Sequence, residues 1–297
     1  MTDKITVYEI ITEKIIKMLD EGTVPWRKPW TMATMPRNLV TNRPYTGINV
    51  FLLMAEGYDS PYWLTFNQID KLGGKIKRDE NDKALPSTIV IFWKLSESKT
   101  EKDENGKPKK FAILRYYRVW NLDQTEGVKV PKRPAEEPRE VSPIEAAEAI
   151  VNGYPNAPKI VRTGASAVYN WETDTIKVPS LEAHHSDEEH YSTLLHEIVH
   201  STGHKSRLNR PIENSFGSHP YGREELIAEM GAAFLCGEAG ISPAVIDNQA
   251  AYIASWKRTI KADTKAVVVA AGQAQKAADH VLNRAYAEQQ LELEKAA

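Results

Sequence analysis

Two histidines four residues apart, His196 and His200, bracket Glu197, Ile198 and Val199. On a helix this spacing brings both imidazoles to one face about one turn apart, where two neutral nitrogens can share one metal ion. Glu197 then lies beside the ion rather than on it. Zinc is the default ion, and manganese or cobalt also suits a His-His-Glu donor set. Such a centre lowers the pKa of its bound water to about 7 and polarises a carbonyl. Glu197 is the catalytic residue, accepting the water proton and delivering it later to a leaving amine. The chemistry is that of a zinc-dependent metallopeptidase.

Catalytic zinc usually takes three protein ligands, so a third donor is required. His204 stands two residues early for the longer His-x-x-Gly-x-x-His extension, and Ser206 occupies the position that extension needs. The stretch from Arg223 to Cys236 offers Glu224, Glu225 and Glu229. Leu226, Ile227, Met230, Ala233 and Phe234 mark its buried face. With Leu226 as zero, that face centres near about +30°, with Glu229 at about −60°, Glu225 at about −100° and Glu224 at about 160°. Glu229 lies nearest the core, where a carboxylate is costly unless it is paired or metal-bound. Glu229 is therefore the expected third ligand, with Glu225 in reserve, and either can instead orient a histidine N–H. Tyr221 or His219 is a candidate to steady an oxyanion, and His184, His185, His190 and His219 are read as exposed loop or helix-end residues.

The elements that must hold this chemistry are legible. Ser186 with Glu189 three residues later forms a capping box, Asp187 and Glu188 suit a helix N-terminus, and Gly203 ends the helix. Tyr191, Leu195, Ile198 and Val199 form its core face, leaving both histidines off it. Upstream, 160–163, 167–171 and 174–179 read as short strands in a meander. The chain turns helical again from Ala244, and Lys265 to Ala297 reads as a closing helix.

The first part of the chain carries different chemistry. Residues 3–21 space Ile5, Tyr8, Ile11, Ile15, Met18 and Leu19 as an amphipathic helix ending at Gly22. Then Pro25-Trp26-Arg27-Lys28-Pro29-Trp30 sets two indoles around two cations in a proline-stiffened loop. Flat stacking surfaces beside phosphate-seeking cations are what a sequence-tolerant single-strand nucleic-acid site needs. Arg37, Arg43 and Tyr45 follow, then Lys75 and Lys77 beside Gly73-Gly74. Residues 87–94 and 111–120 read as two strands joined by a charged loop with Asn105-Gly106 at its tip.

Composition limits what these parts can be. The chain has 297 residues, 38 basic and 40 acidic, the composition of an ordinary soluble protein, and its near-neutral balance conceals a split. Cut after Gly127, the first part holds 20 basic and 17 acidic side chains, net +3, and the remainder 18 and 23, net −5. Five of the seven tryptophans lie in the first part. The two parts are thus chemically distinct, and the length suits two domains each with its own core. We read 1–127 and 145–297 as the domains, with a linker over 128–144 stiffened by Pro131, Pro134, Pro138 and Pro143. A single cysteine, Cys236, excludes an internal disulfide. No apolar run suits a membrane span or signal peptide, so a cytoplasmic protein is expected. The fold class expected is α+β in two domains.

With both parts read, the chain resembles plasmid antirestriction proteins of the ArdC type. The N-terminal resemblance rests on 22–30, 43–49, 63–66 and 72–74, and the C-terminal one on 194–204 and 223–229. It implies an N-terminal mixed α/β domain that binds single-stranded DNA and a C-terminal zincin-like metallopeptidase domain. It also implies a metal at His196, His200 and Glu229 with Glu197 catalytic, and protection of incoming plasmid DNA from host restriction during conjugation. The partners implied are single-stranded DNA and a restriction-system or DNA-bound protein as peptide substrate, with no membrane. The alternative is a general metalloprotease whose front domain docks protein substrates.

Overall fold

The computed structural model describes residues 5–27, 35–102, 104, 106–130, 142–210, 219–242 and 249–284. Helix α1 (Val7–Asp20) is set by Thr6, whose hydroxyl accepts from Glu9 N while the Glu9 carboxylate accepts from Thr6 N. Its stripe Ile11, Ile15 and Leu19 is buried. A short 3-10 turn, Pro25–Arg27, and β1 (Arg37–Asn38) lead to α2 (Ile48–Met54), which is buried along nearly its whole length. Strand β2 (Tyr62–Thr65), α3 (Phe66–Lys71) and β3 (Lys75–Ile76) precede a long hairpin of β4 (Thr88–Lys102) and β5 (Pro108–Asn121). β6 (Thr125–Glu126) pairs with β3.

The main sheet runs β1-β2-β5-β4, parallel between its first two strands and antiparallel beyond. Asn49 of α2 donates to Ile91 O at 2.8 Å and accepts from Ile91 N at 2.7 Å. The side chain thus satisfies backbone groups that an edge strand would otherwise leave unpaired.

The second part opens on α4 (Pro143–Gly153), with Ser142 as its N-cap and Pro143 at the first helical position. Pro143 therefore starts a helix rather than ending a linker, because proline there forfeits only an N–H that has no helical partner. The remaining linker prolines lie outside the described residues. Strands β7 (Lys159–Arg162), β8 (Val168–Asn170) and β9 (Thr175–Val178) are ordered β7-β9-β8. The expected meander is thus corrected: β9 sits in the middle, parallel to β7 and antiparallel to β8. Helices α5 (Asp187–Thr202), α6 (His219–Ala239), α7 (Gln249–Ala262) and α8 (Ala266–Val281) complete the chain. Residues 285–297 of the expected closing helix lie outside the described residues.

The cores are not separate. Phe51 of α2 stacks on Phe234 of α6 with ring centroids 4.9 Å apart. Trp26 packs edge-on against both Phe51 and Trp256 of α7. One buried cluster consequently runs through both parts, and a small satellite of Leu39, Leu64 and Ile69 lies under β3 and β5. No helix among the described residues is long and apolar enough to cross a membrane.

Candidate metal centre

Helix α5 presents the two histidines as its spacing dictates. Ser186 accepts from Glu189 N at 3.1 Å at one end, and Gly203 caps the other. Tyr191, Leu194, Leu195, Ile198 and Val199 anchor the core face. Helix α6 crosses it closely because Gly231 leaves room: a Cβ there would lie 2.7 Å from Val199 Cγ1. That approach carries the glutamates of α6 up to the histidines of α5.

His196 Nε2 and His200 Nε2 face each other at 3.1 Å. Glu225 completes the cluster, with Oε1 3.5 Å from His200 Nε2 and Oε2 3.7 Å from His196 Nε2. Donor atoms about 2.0–2.1 Å from one tetrahedral ion stand about 3.3–3.4 Å from each other. The side chains present therefore fit a shared cation, and these three form a metal-competent group among the described residues.

Glu229, the expected third ligand, is placed differently. Its carboxylate accepts from Arg27 Nη2 at 2.9 and 3.1 Å, and its Oε1 lies 3.9 Å from the other ring nitrogen of His196, Nδ1. Helix α6 is buried almost all round, so no single core face ranks its glutamates. Glu224 shows the same effect. Placed as far from the core by angle as Glu225, it is 6% exposed, with Oε1 3.3 Å from His200 Nδ1. Arg210 grips Glu224 through Nε at 3.1 Å and Nη2 at 2.6 Å, and its Nη2 also donates to Val199 O. Neither Glu224 nor Arg210 announces this role in the sequence. The available signal was three glutamates, Glu224, Glu225 and Glu229, within two turns of a mostly apolar helix.

The charges respond to this packing. Burial opposes a charge on His200, but hydrogen bonds with Glu224 and Glu225 outweigh it and raise the imidazole to about 10. Burial likewise pushes the Glu224 carboxyl up, yet His200 and Arg210 hold it below the ordinary carboxylate value. Glu197 is 9% exposed and forms no hydrogen bond or ion pair among the described residues. Tyr252 of α7 keeps its proton more firmly than a free phenol because of burial and the nearby carboxylates of Glu225 and Glu229. His219 and Tyr221 have side chains outside the described residues. His190 is not an exposed residue as expected: it is 1% exposed and packs against Tyr191 and His184.

Residues 145–273 match the model of a zincin-like metallopeptidase, and residues 5–120 match the N-terminal domain of anti-restriction factor ArdC. The crystal structure of antirestriction ArdC from plasmid R388, in its metal-free form, aligns with TM-score 0.72 at 34% identity over 95% of this chain and all of that one. The chain belongs to the ArdC antirestriction family. The Mn(II)-bound R388 ArdC aligns with TM-score 0.71 at 34% identity, over 94% of this chain and 98% of that one. Protein y4eC of Sinorhizobium fredii (strain NBRC 101917 / NGR234) is 30% identical over 92% of this chain and 90% of its own length. A DNA primase TraC of Escherichia coli is 33% identical over 95% of this chain but only 20% of the primase, so the chain spans a fifth of that relative.

Several residues expected at a nucleic-acid site from their aromatic and basic pattern are buried by the fold. Trp26 is fully buried, and Tyr45 is 5% exposed with its phenol raised to about 12, chiefly by burial. Neither offers a face to a base, which corrects the stacking role of Trp26 and the nucleic-acid role of Tyr45: apolar area of this size is better kept from water than presented to it. Arg27 points to Glu229 instead of to solvent. Lys28 and Trp30 lie outside the described residues. Arg37 is half-buried, with Nε directed at Met35 O, whereas Arg43, Lys75 and Lys77 are exposed. Missed by sequence were the exposed rings of Phe66, Phe111 and Tyr116.

Proposed function

We propose that this protein is an antirestriction factor that binds single-stranded DNA and shields incoming plasmid DNA, and that it carries a working metallopeptidase centre. The observation behind the enzymatic half is the convergence of His196 Nε2, His200 Nε2 and Glu225 within donor distance of one another. A divalent cation there, zinc by default with manganese or cobalt as substitutes, supplies water activation and carbonyl polarisation. Glu225 is the third ligand in this proposal, in place of Glu229. Glu197 takes the water proton on its carboxylate and returns it to the leaving amine. The peptide substrate is a restriction-system or DNA-bound protein met in the cytoplasm.

For the DNA-binding half, the exposed groups replace the buried ones. Phe66 lies edge-on to Trp120 with centroids 6.4 Å apart, and Lys75 and Lys77 flank Ile76, which packs with Trp120 on the same small cluster. An exposed ring next to lysines suits a single strand, whose bases are open to stacking and whose phosphates are close by. The kinship with ArdC of a plasmid and with DNA primases supports the same reading.

The test is protection of plasmid DNA from a restriction enzyme in cells, comparing wild type with Glu197→Ala at matched expression. Loss of protection with DNA binding intact makes peptide cleavage part of the defence. Full protection leaves DNA coverage as the mechanism. Absence of salt-dependent binding to single-stranded DNA by the whole chain overturns the DNA half and favours a general metalloprotease.

A further inference from the structure

Each candidate metal histidine has a glutamate near its Nδ1 that an arginine holds, within hydrogen-bond range at His200 and 3.9 Å away at His196. Behind His200 stands Glu224, held by Arg210; behind His196 stands Glu229, held by Arg27. The first support is built within the C-terminal part. The second crosses between the parts, because Arg27 lies 202 residues before Glu229.

We propose that Arg27 is a positioning residue of the metal centre: by fixing Glu229 it fixes the ring of His196, so that the N-terminal part completes the outer shell of a site whose ligands all lie in the C-terminal part. This rests on assigning His196, His200 and Glu225 as the ligands.

Three features carry it. Glu225 and Glu229 are four residues apart on α6, where like charges repel, and they approach opposite nitrogens of His196. The Arg27 guanidinium offsets one of these charges in a setting where both partners are largely shielded from water, with side-chain exposures of 15% and 10%. Second, Arg27 is itself fixed. It follows the buried Trp26 in the 3-10 turn, and its guanidinium lies 5.7 Å from the Trp256 ring centroid. Third, at 3.9 Å Glu229 faces His196 Nδ1 beyond hydrogen-bond range, while Glu224 stands 3.3 Å from His200 Nδ1. Glu229 is thus the electrostatic neighbour of the His196 ring, and Arg27 acts on that ring by holding the carboxylate in place.

The test titrates the full-length, chelator-treated chain with Mn(II) and Zn(II) by calorimetry, and records the visible spectrum of the Co(II) form. Arg27→Met and Glu229→Gln should each weaken ion binding about 10- to 100-fold. The double variant should bind no more than about threefold weaker than the worse single one, since both remove the same support. Arg27→Lys should recover part of the affinity, and the saturated Co(II) spectra of Arg27→Met and Glu229→Gln should shift together. Ion binding by Arg27→Met within twofold of wild type overturns the proposal, as does a fall in ion-free melting temperature with affinity and spectrum unchanged. If Arg27→Met does not fold, Arg27→Lys and Glu229→Gln decide by the same criteria. The metal-centre assignment has its own control: Glu225→Ala binding ions as well as wild type overturns the ligand set, and this proposal with it.

Discussion

Phe51 and Phe234 are stacked at 4.9 Å with an interplanar angle of 28°, and both are buried, although one belongs to the N-terminal part and the other to the helix that carries Glu225. Trp26 and Trp256 extend the same contact. Two regions distinct in composition are therefore one packing unit. Thermal unfolding should show a single transition seen equally by tryptophan fluorescence and far-UV dichroism. Phe234→Ala should destabilise the whole by about 3–5 kcal/mol. Two separated transitions would show that the shared core does not couple the parts.

Glu197 is the test of chemistry as opposed to binding. Glu197→Gln keeps the shape and removes the base, so peptide hydrolysis should fall by about 10²- to 10⁴-fold. Affinity for the ion, measured by chelator competition, should stay within a few-fold because Glu197 is not a ligand. A large loss of affinity would place Glu197 among the ligands instead.

Buried and exposed aromatics should separate cleanly. Trp26→Ala should cost about 3–5 kcal/mol of stability in urea denaturation. Under native conditions it should leave single-strand affinity per folded molecule unchanged. Phe66→Ala should do the reverse, weakening a fluorescent oligonucleotide by about 1–3 kcal/mol with little effect on stability. Equal binding by Phe66→Ala and wild type would remove that ring from the DNA site.

The loop after α5 is pinned by a pH-sensitive pair. Arg207 donates to Asp174 through both Nη atoms, and also to Asn156 O, Ser201 O and Tyr169. Burial pushes the Asp174 carboxyl up, but bonds from Arg207 and Tyr169 outweigh it and hold it below the ordinary value. A carboxyl lowered on folding stabilises above its unfolded pKa, about 3.9, and loses that contribution as pH falls through its folded value. Asp174→Asn should therefore destabilise by about 1–3 kcal/mol at pH 7, discounted from a fully buried pair because Asp174 is partly exposed. The gap from wild type should close as pH falls below about 4. A gap constant down to pH 2 in urea titrations would show that the ion pair is not its source.

Local chemistry was written plainly in the sequence. The helix bearing His196 and His200, its Ser186 and Gly203 caps, the amphipathic run of α1 and the β4–β5 hairpin all follow from spacing and end signals, because each depends on neighbours within a few residues. Resemblance to ArdC was equally legible, since it rests on short contiguous motifs. Tertiary structure decided the rest. It ranked Glu225 above Glu229 at the histidines, because α6 is buried on nearly every side and only its crossing with α5 at Gly231 sets which carboxylate arrives. It turned Trp26 inward, since an indole beside prolines reads the same whether it packs or stacks until a partner such as Phe51 is known. It also joined Arg27 to Glu229: an ion pair between residues so far apart in the chain leaves no periodicity, and only the shared core brings the two charges together.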